Sequence, residues 1–171
     1  MSRSLVFYGN ETLAGVAEPV NNIDGSIASL IDEMFEIMYK EDGIGLAGPQ
    51  VDCGKRLFVV DTGEKRGNKF ALINPVIKER ADKLVPYEEG CLSLPGINAD
   101  VMRPETILIS GYNRDGKEVE IEANGLLARV FQHEYDHLNG ILFIDRVEKY
   151  LRDEMRSELK KIKKLNKKQG K

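Results

Sequence analysis

Apolar residues recur along this chain with two periods, and the changes from one to the other divide it into elements. Over 26–41, Ile27, Leu30, Ile31, Met34, Phe35, Met38 and Tyr39 fall three and four apart, on one face of a helix. Asp24 or Ser26 caps its start and Gly43 stops it. Segments 57–61 and 70–74 are short apolar runs between Gly and Pro clusters and read as strands, with 62–68 a polar loop between them. Segment 76–88 continues the sheet. Apolar and polar residues alternate over 105–112 and 117–122 around Asn113-Arg114-Asp115-Gly116, which predicts a hairpin. A second helix opens at Asn124 or Gly125, buries Leu126, Leu127, Val130, Phe131 and Leu138, and ends near Gly140. Segment 141–144 reads as a short strand. From Glu148 onward Leu151, Met155, Leu159, Ile162 and Leu165 mark the apolar stripe of a basic terminal helix over 147–171. Residues 5–20, broken by Gly9, Gly15 and Pro19, read as loop.

Composition adds a class to this pattern. With 171 residues, 42% hydrophobic and 31% charged, the chain is expected to form one soluble domain over 1–171. No run approaches the ~18 apolar residues of a membrane span, and the N-terminus lacks a secretory signal, so a cytoplasmic protein is expected. Two cysteines, Cys53 and Cys91, are expected to remain thiols or to serve as ligands. The net charge of −3 conceals an asymmetry: residues 148–171 carry ten Lys and Arg against four Asp and Glu, leaving 15 basic and 24 acidic residues in the body. An acidic body argues against nucleic acid in a catalytic cleft, whereas the tail can meet polyanions.

The chemistry concentrates in the second helix. Its Gln132-His133-Glu134-Tyr135-Asp136-His137 holds the chain's only two histidines, four positions apart and on one face. Two imidazoles so placed can grip one metal ion, and Glu134 can reach a water on it. The segment His133 to Gly140 imitates a longer protease motif whose third ligand would stand at position 143, but that residue is Phe. Glu148, Glu154 and Glu158 lie at or beyond the start of the basic helix. Cys91, in Glu89-Gly90-Cys91-Leu92-Ser93, is the better third ligand and leaves a fourth position open, as in catalytic sites. Gly43-Ile44-Gly45-Leu46-Ala47-Gly48-Pro49-Gln50 fits neither a dinucleotide fingerprint nor a P-loop. It reads as a substrate-facing loop presenting the Gln50 amide.

Together, in this order and at these separations, the three stretches resemble the signature motifs of bacterial peptide deformylase, with similarity from about Leu5 to Arg146. The resemblance implies an α+β fold: mixed, mainly antiparallel β-sheets packed around a central helix that carries H-E-x-x-H, with a C-terminal helix. It implies a monomer that removes the formyl group from N-formyl-methionyl nascent peptides. Cys91, His133 and His137 would hold one divalent ion, Fe2+ in the cell, with Zn2+, Ni2+ or Co2+ as replacements. Water on that ion attacks the formyl carbonyl with Glu134 as general base and then acid, while Gln50 and the Leu92 N–H donate to the oxyanion. Gly45, Glu89, Leu126, Arg129 and Val130 would surround the methionine side chain, and Glu89 and Arg103 would pair behind the Cys91 loop. Three positions depart from the family: Gly48 replaces an alanine and loosens that wall, Asn98 stands where some members have arginine, and Arg129 makes the pocket rim more polar. The seven lysines between Lys160 and Lys171 suggest ribosome docking, and deletion from about Lys160 is expected to weaken it while sparing activity on short peptides. The competing functions are a zinc endopeptidase and a non-catalytic ribosome-binding protein.

Overall fold

The structure, a computed structural model, describes residues 2–63 and 69–169, so most of the loop expected at 62–68 lies outside the described residues. The elements are α1 (Glu11–Ala14), α2 (Gly25–Lys40), β1 (Gly45–Ala47), β2 (Leu57–Asp61), β3 (Lys69–Arg80), β4 (Leu84–Cys91), β5 (Leu94–Pro104), β6 (Thr106–Tyr112), β7 (Glu118–Asn124), α3 (Gly125–Leu138), α4 (Lys149–Glu154) and α5 (Arg156–Gln169). Five strands form one sheet in the order β1-β2-β3-β6-β7, and β4 pairs with β5 in a second. Among the described residues every strand pair is antiparallel, with one isolated parallel bridge between Glu18 and Lys55.

All five residues of β2 are buried and the first four are apolar, as in a strand whose sheet is covered on both faces. Side chains alternate between those faces. Leu57, Val59 and Ile73 pack with Ile27, Ile31, Met34 and Met38 of α2. Phe58, Val60 and Leu72 pack on the other side with Ala128, Val130 and Phe131 of α3. The Phe131 ring lies 5.8 Å from that of Phe58 and 5.5 Å from that of Phe70, which locks the rotation of α3. A third cluster joins Leu94, Ile97 and Val101 of β5 to Phe143 and Ile144, and to Leu159 and Ile162 of α5.

Several expected elements take another form. Asp24 is the cap of α2, accepting from Ser26 N at 2.9 Å and Ile27 N at 3.2 Å, and the left-handed residue after the helix is Asp42 rather than Gly43. The glycine-rich stretch is not plain loop: it contributes β1 and a 3-10 turn over Gly48–Val51. Segment 76–88 does not stay in one sheet, because β3 ends at Arg80 and β4 begins the second hairpin, whose other strand, β5, has no counterpart among the expected elements. Segment 141–144 is not a strand, its end being a 3-10 turn over Phe143–Asp145. The terminal helix breaks at Met155 into α4 and α5. Within 5–20, Asn10 caps the short helix α1, accepting from Leu13 N at 3.0 Å. Leu126 is 38% exposed and does not belong to the buried face of α3. Among the described residues no helix is long and apolar enough to cross a membrane.

Ile31 is fully enclosed between α2 and the sheet. Ile31→Ala is expected to cost about 2–5 kcal/mol, as large-to-small changes in a packed core do. Urea unfolding checks this: the midpoint falls at an unchanged m-value, and a loss below about 1 kcal/mol would contradict the packing described.

Candidate metal centre

With its apolar face held against the sheet, α3 presents His133 and His137 one turn apart, ring centroids 5.0 Å from each other. Cys91 arrives from β4 where its pairing with β5 slips. Gly90 lies opposite Asn98 and Cys91 opposite Leu94, so the hairpin closes in a tight turn through Leu92 and Ser93. Cys91 Sγ is 3.4 Å from His137 Nε2, and one ligand atom each from Cys91, His133 and His137 lie within 4.8 Å of one another. Both cysteines are free thiols, as expected.

A buried ionic network stands behind these three residues. Glu89 Oε1 faces His133 Nδ1 at 2.9 Å and accepts from Arg103 Nη2 at 3.0 Å, and its Oε2 accepts from Arg103 Nε at 2.6 Å and Arg129 Nη1 at 2.8 Å. Burial alone would raise the Glu89 pKa, but the hydrogen bonds from His133 and Arg103 outweigh it and hold it down at about 2. The anionic acceptor keeps the proton on Nδ1 and aims the His133 Nε2 lone pair away from it. Arg103 reaches on to Asp136 Oδ2 at 2.8 Å, and Arg146 closes on both Asp136 oxygens at 2.5 and 2.7 Å.

The remaining groups converge on the same point. Gln50, 1% exposed, accepts through Oε1 from Ala47 N at 2.9 Å; a backbone N–H can only donate, so the amide is oriented with Nε2 towards Cys91 Sγ (3.4 Å) and Ser93 Oγ (3.3 Å). Glu134 is buried, and its Oε1 has no hydrogen-bond partner among the described residues. Burial pushes its pKa up to about 7 against the pull of His133. Burial lowers the His133 pKa, but Glu134, Cys91 and Glu89 raise it more; burial and His133 hold that of His137 well below the ordinary value. A sulfur and two imidazole nitrogens gathered within 4.8 Å of one another, beside a carboxyl whose Oε1 has no hydrogen-bond partner among the described residues, fit a divalent cation.

The centre opens into a cavity of about 920 Å³, bordered by Gly45, Glu89, Leu92, Leu126, Arg129 and Val130. Arg129 does not extend its charge into this space. Its guanidinium donates to Glu89, to Val101 O at 2.8 Å and to Val85 O at 2.7 Å. Gly48 does not loosen the wall: a Cβ there would stand 2.7 Å from Lys55 O and 3.0 Å from Cys53 O, so backbone already fills the place of a methyl group. Asn98 packs on Gly90, where a Cβ would lie 2.5 Å from Asn98 Oδ1. Sequence reasoning missed Ser93, Asp136 and Arg146. Asp136 had a usable signal, since a carboxylate one turn from His133 on a buried helix needs a cation.

A sequence profile of the polypeptide deformylase family matches residues 2–153. The chain is 45% identical over 163 residues to a peptide deformylase of Chromobacterium violaceum, covering 95% of this chain and 97% of that one. It superposes on the crystal structure of a plant peptide deformylase with a TM-score of 0.91 at 42% identity, covering 99% of this chain and 94% of that one. The Synechococcus elongatus enzyme solved with actinonin gives a TM-score of 0.83 at 42% identity over 94% of this chain and 83% of that one. Matched by profile, sequence and structure over most of its length, the chain belongs to the polypeptide deformylase family.

Proposed function

We propose that residues 1–171 form one catalytic domain that works as a monomer in the cytoplasm. It hydrolyses the formyl group from the N-terminal formyl-methionine of newly made proteins. The observation that carries this reading is the convergence of Cys91, His133 and His137 on one point, with Cys91, His133, the Glu134 carboxylate and the Gln50 amide at the wall of one cavity. Cys91, His133 and His137 would hold a divalent ion, Fe2+ in the cell with Zn2+, Ni2+ or Co2+ as substitutes. When bound, such an ion supplies Lewis acidity and a water acidic enough to ionise near neutral pH.

The chain's own groups then divide the work. Glu134 takes a proton from the attacking water and passes it to the amine nitrogen that departs. Gln50 Nε2 and the Leu92 N–H donate to the formyl oxygen as charge develops on it. Gly45 lets the pocket wall meet the acid: a Cβ there would stand 2.5 Å from Glu134 Oε2 and 2.8 Å from Val130 Cγ1. Leu126, Val130 and the stem of Arg129 take the methionine side chain, with Glu89 behind them. Formate release from a formyl-methionyl peptide, run beside an unblocked peptide, tests the proposal. The parent is expected to release formate and to cut no internal bond, and Glu134→Gln to lower the rate ~10²–10⁴-fold. Internal cleavage with the formyl group left in place would make the protein an endopeptidase instead.

Arg103 acts behind the ligands by holding Glu89 against His133 and by joining Asp136 to them. Arg103→Met leaves two buried carboxylates short of a cation and frees His133 to turn. Metal affinity, measured by competition with a chelator, is expected to fall by about 10- to 100-fold. An unchanged affinity would separate this network from the metal site.

We further propose that the basic tail docks on the ribosome. Arg152, Arg156, Lys160 and Lys163 outnumber Asp153 around a cleft of about 250 Å³ beside Tyr8, and although Arg152 pairs with Asp145 and Arg156 with Asp153, the excess of positive charge supports contact with a phosphate backbone. Lys160→Glu with Lys164→Glu, both exposed, is expected to weaken co-sedimentation with ribosomes and to flatten its salt dependence. Undiminished co-sedimentation would leave these charges as an ordinary solvated face.

A further inference from the structure

The N-terminal segment 5–8 runs between the loop that carries Gln50 and the loop that carries Cys91 and Leu92. Val6 N–H donates to Gln50 O at 2.8 Å, and Tyr8 N–H donates to Ser93 O at 3.0 Å. In an extended chain alternate N–H groups point opposite ways. The Phe7 peptide accordingly turns away from the site, and there it meets α5. Asn166 Oδ1 accepts from Phe7 N at 2.9 Å, while Asn166 Nδ2 donates to Phe7 O at 2.9 Å and Tyr8 O at 3.0 Å. One side-chain amide thus satisfies three backbone groups of the segment whose other edge spans the two loops.

The α5 side of this contact is seated in the core, and the segment lies against it. Leu159 and Ile162 anchor α5 in the third core cluster, and Leu5 and Val6 are buried. Gly9 has a left-handed φ of 100°, and a Cβ there would stand 2.8 Å from Lys163 Cγ, so α5 lies directly on the end of the segment. Leu165 and Phe7 both border the cavity of the metal centre.

We propose that Asn166 is a positioning residue for the reaction: by clamping Phe7 and Tyr8 it keeps Val6 on Gln50 and Tyr8 on Ser93, and so sets the spacing of the two oxyanion donors. This rests on the deformylase reading of the site. It also reverses the expectation that the segment from Lys160 can be removed without effect on short peptides, because that deletion takes Ile162, Leu165 and Asn166 with it.

The test is Asn166→Ala, with Asn166→Asp as a second variant that keeps the acceptor for Phe7 N but replaces the donor with oxygen. Lys161→Ala, on the exposed face of α5, is the control. Misplaced oxyanion donors act on charge that exists only in the transition state, so kcat should fall ~10- to ~10²-fold with KM nearly unchanged in both Asn166 variants. Amide hydrogen exchange at Val6 and Tyr8 should quicken, while exchange at Ile31 in α2 stays as in the parent. An unchanged kcat, or quickening at Ile31 equal to that at Val6 and Tyr8, overturns the proposal. A parent that releases no formate would refute the deformylase reading. The exchange data would then still decide the clamp, faster exchange at Val6 and Tyr8 supporting it and unchanged exchange ending it.

Discussion

The carboxylate of Glu89 is the constraint on which the site depends. Removing an ionised carboxylate from water costs several kcal/mol even after relaxation, and only excellent geometry with every lone pair used offsets it. Here both oxygens are taken, by Arg103, Arg129 and His133. Glu89 and Cys91 stand two apart on one strand and both reach α3, Glu89 at His133 and Cys91 at His137. Fixing the carboxylate against α3 therefore also fixes the sulfur against the histidines. Arg103 extends the same restraint to Asp136, one turn along from His133, and Arg146 ties that carboxylate to the chain beyond the helix. The three candidate metal ligands come from two elements that share no backbone hydrogen-bond ladder, and this charged seam sets their separation.

A seam of this kind works only on a backbone that does not yield. The five-stranded sheet is covered by α2 on one face and α3 on the other, so displacement of α3 would uncover Phe58, Val60 and Phe131 together. Site residues placed on such an element are held close to their productive geometry before substrate arrives, which is what electrostatic stabilisation of a transition state requires. Glu134 shows the consequence. It is buried with its Oε1 unpartnered among the described residues, a costly arrangement for a carboxylate, on a helix whose apolar face is packed against the sheet.

How far this was legible in the sequence follows from how each feature is encoded. The helices α2 and α3 and the β6–β7 hairpin repeat one contact over many residues, and periodicity records it. The spacing of His133 and His137 was legible for the same reason. The β4–β5 hairpin was not: it is a separate two-stranded sheet, much of β4 is exposed, and the buried apolar residues of β5 are Leu94, Ile97 and Val101. Those fall three and four apart and imitate a helix. Residues 5–8 and Asn166 left no trace because contacts of one amide with backbone groups do not depend on the side chains they hold. Cys91 stood between these cases, found by elimination among possible ligands and by family resemblance rather than by any local pattern.

The three motifs are separate in sequence, but their atoms occupy one another's space, and glycine is what allows it. Gly43, Gly45 and Gly90 do not have left-handed backbones, so flexibility is not their purpose. A Cβ on Gly43 would stand 2.7 Å from Leu92 Cδ1, and one on Gly45 would stand 2.5 Å from Glu134 Oε2. The first loop is therefore shaped by the second at Gly43 and by the helix at Gly45. Enlarging Gly43 presses on the tip of the Leu92 side chain, whereas enlarging Gly45 presses on the Glu134 carboxylate, a group with a proposed part in the chemistry. Gly48 obeys the same rule away from the cavity, where the carbonyls of Cys53 and Lys55 stand in the space of its missing methyl group. The wall that carries Gln50 is therefore filled by backbone where a side-chain methyl group would otherwise stand.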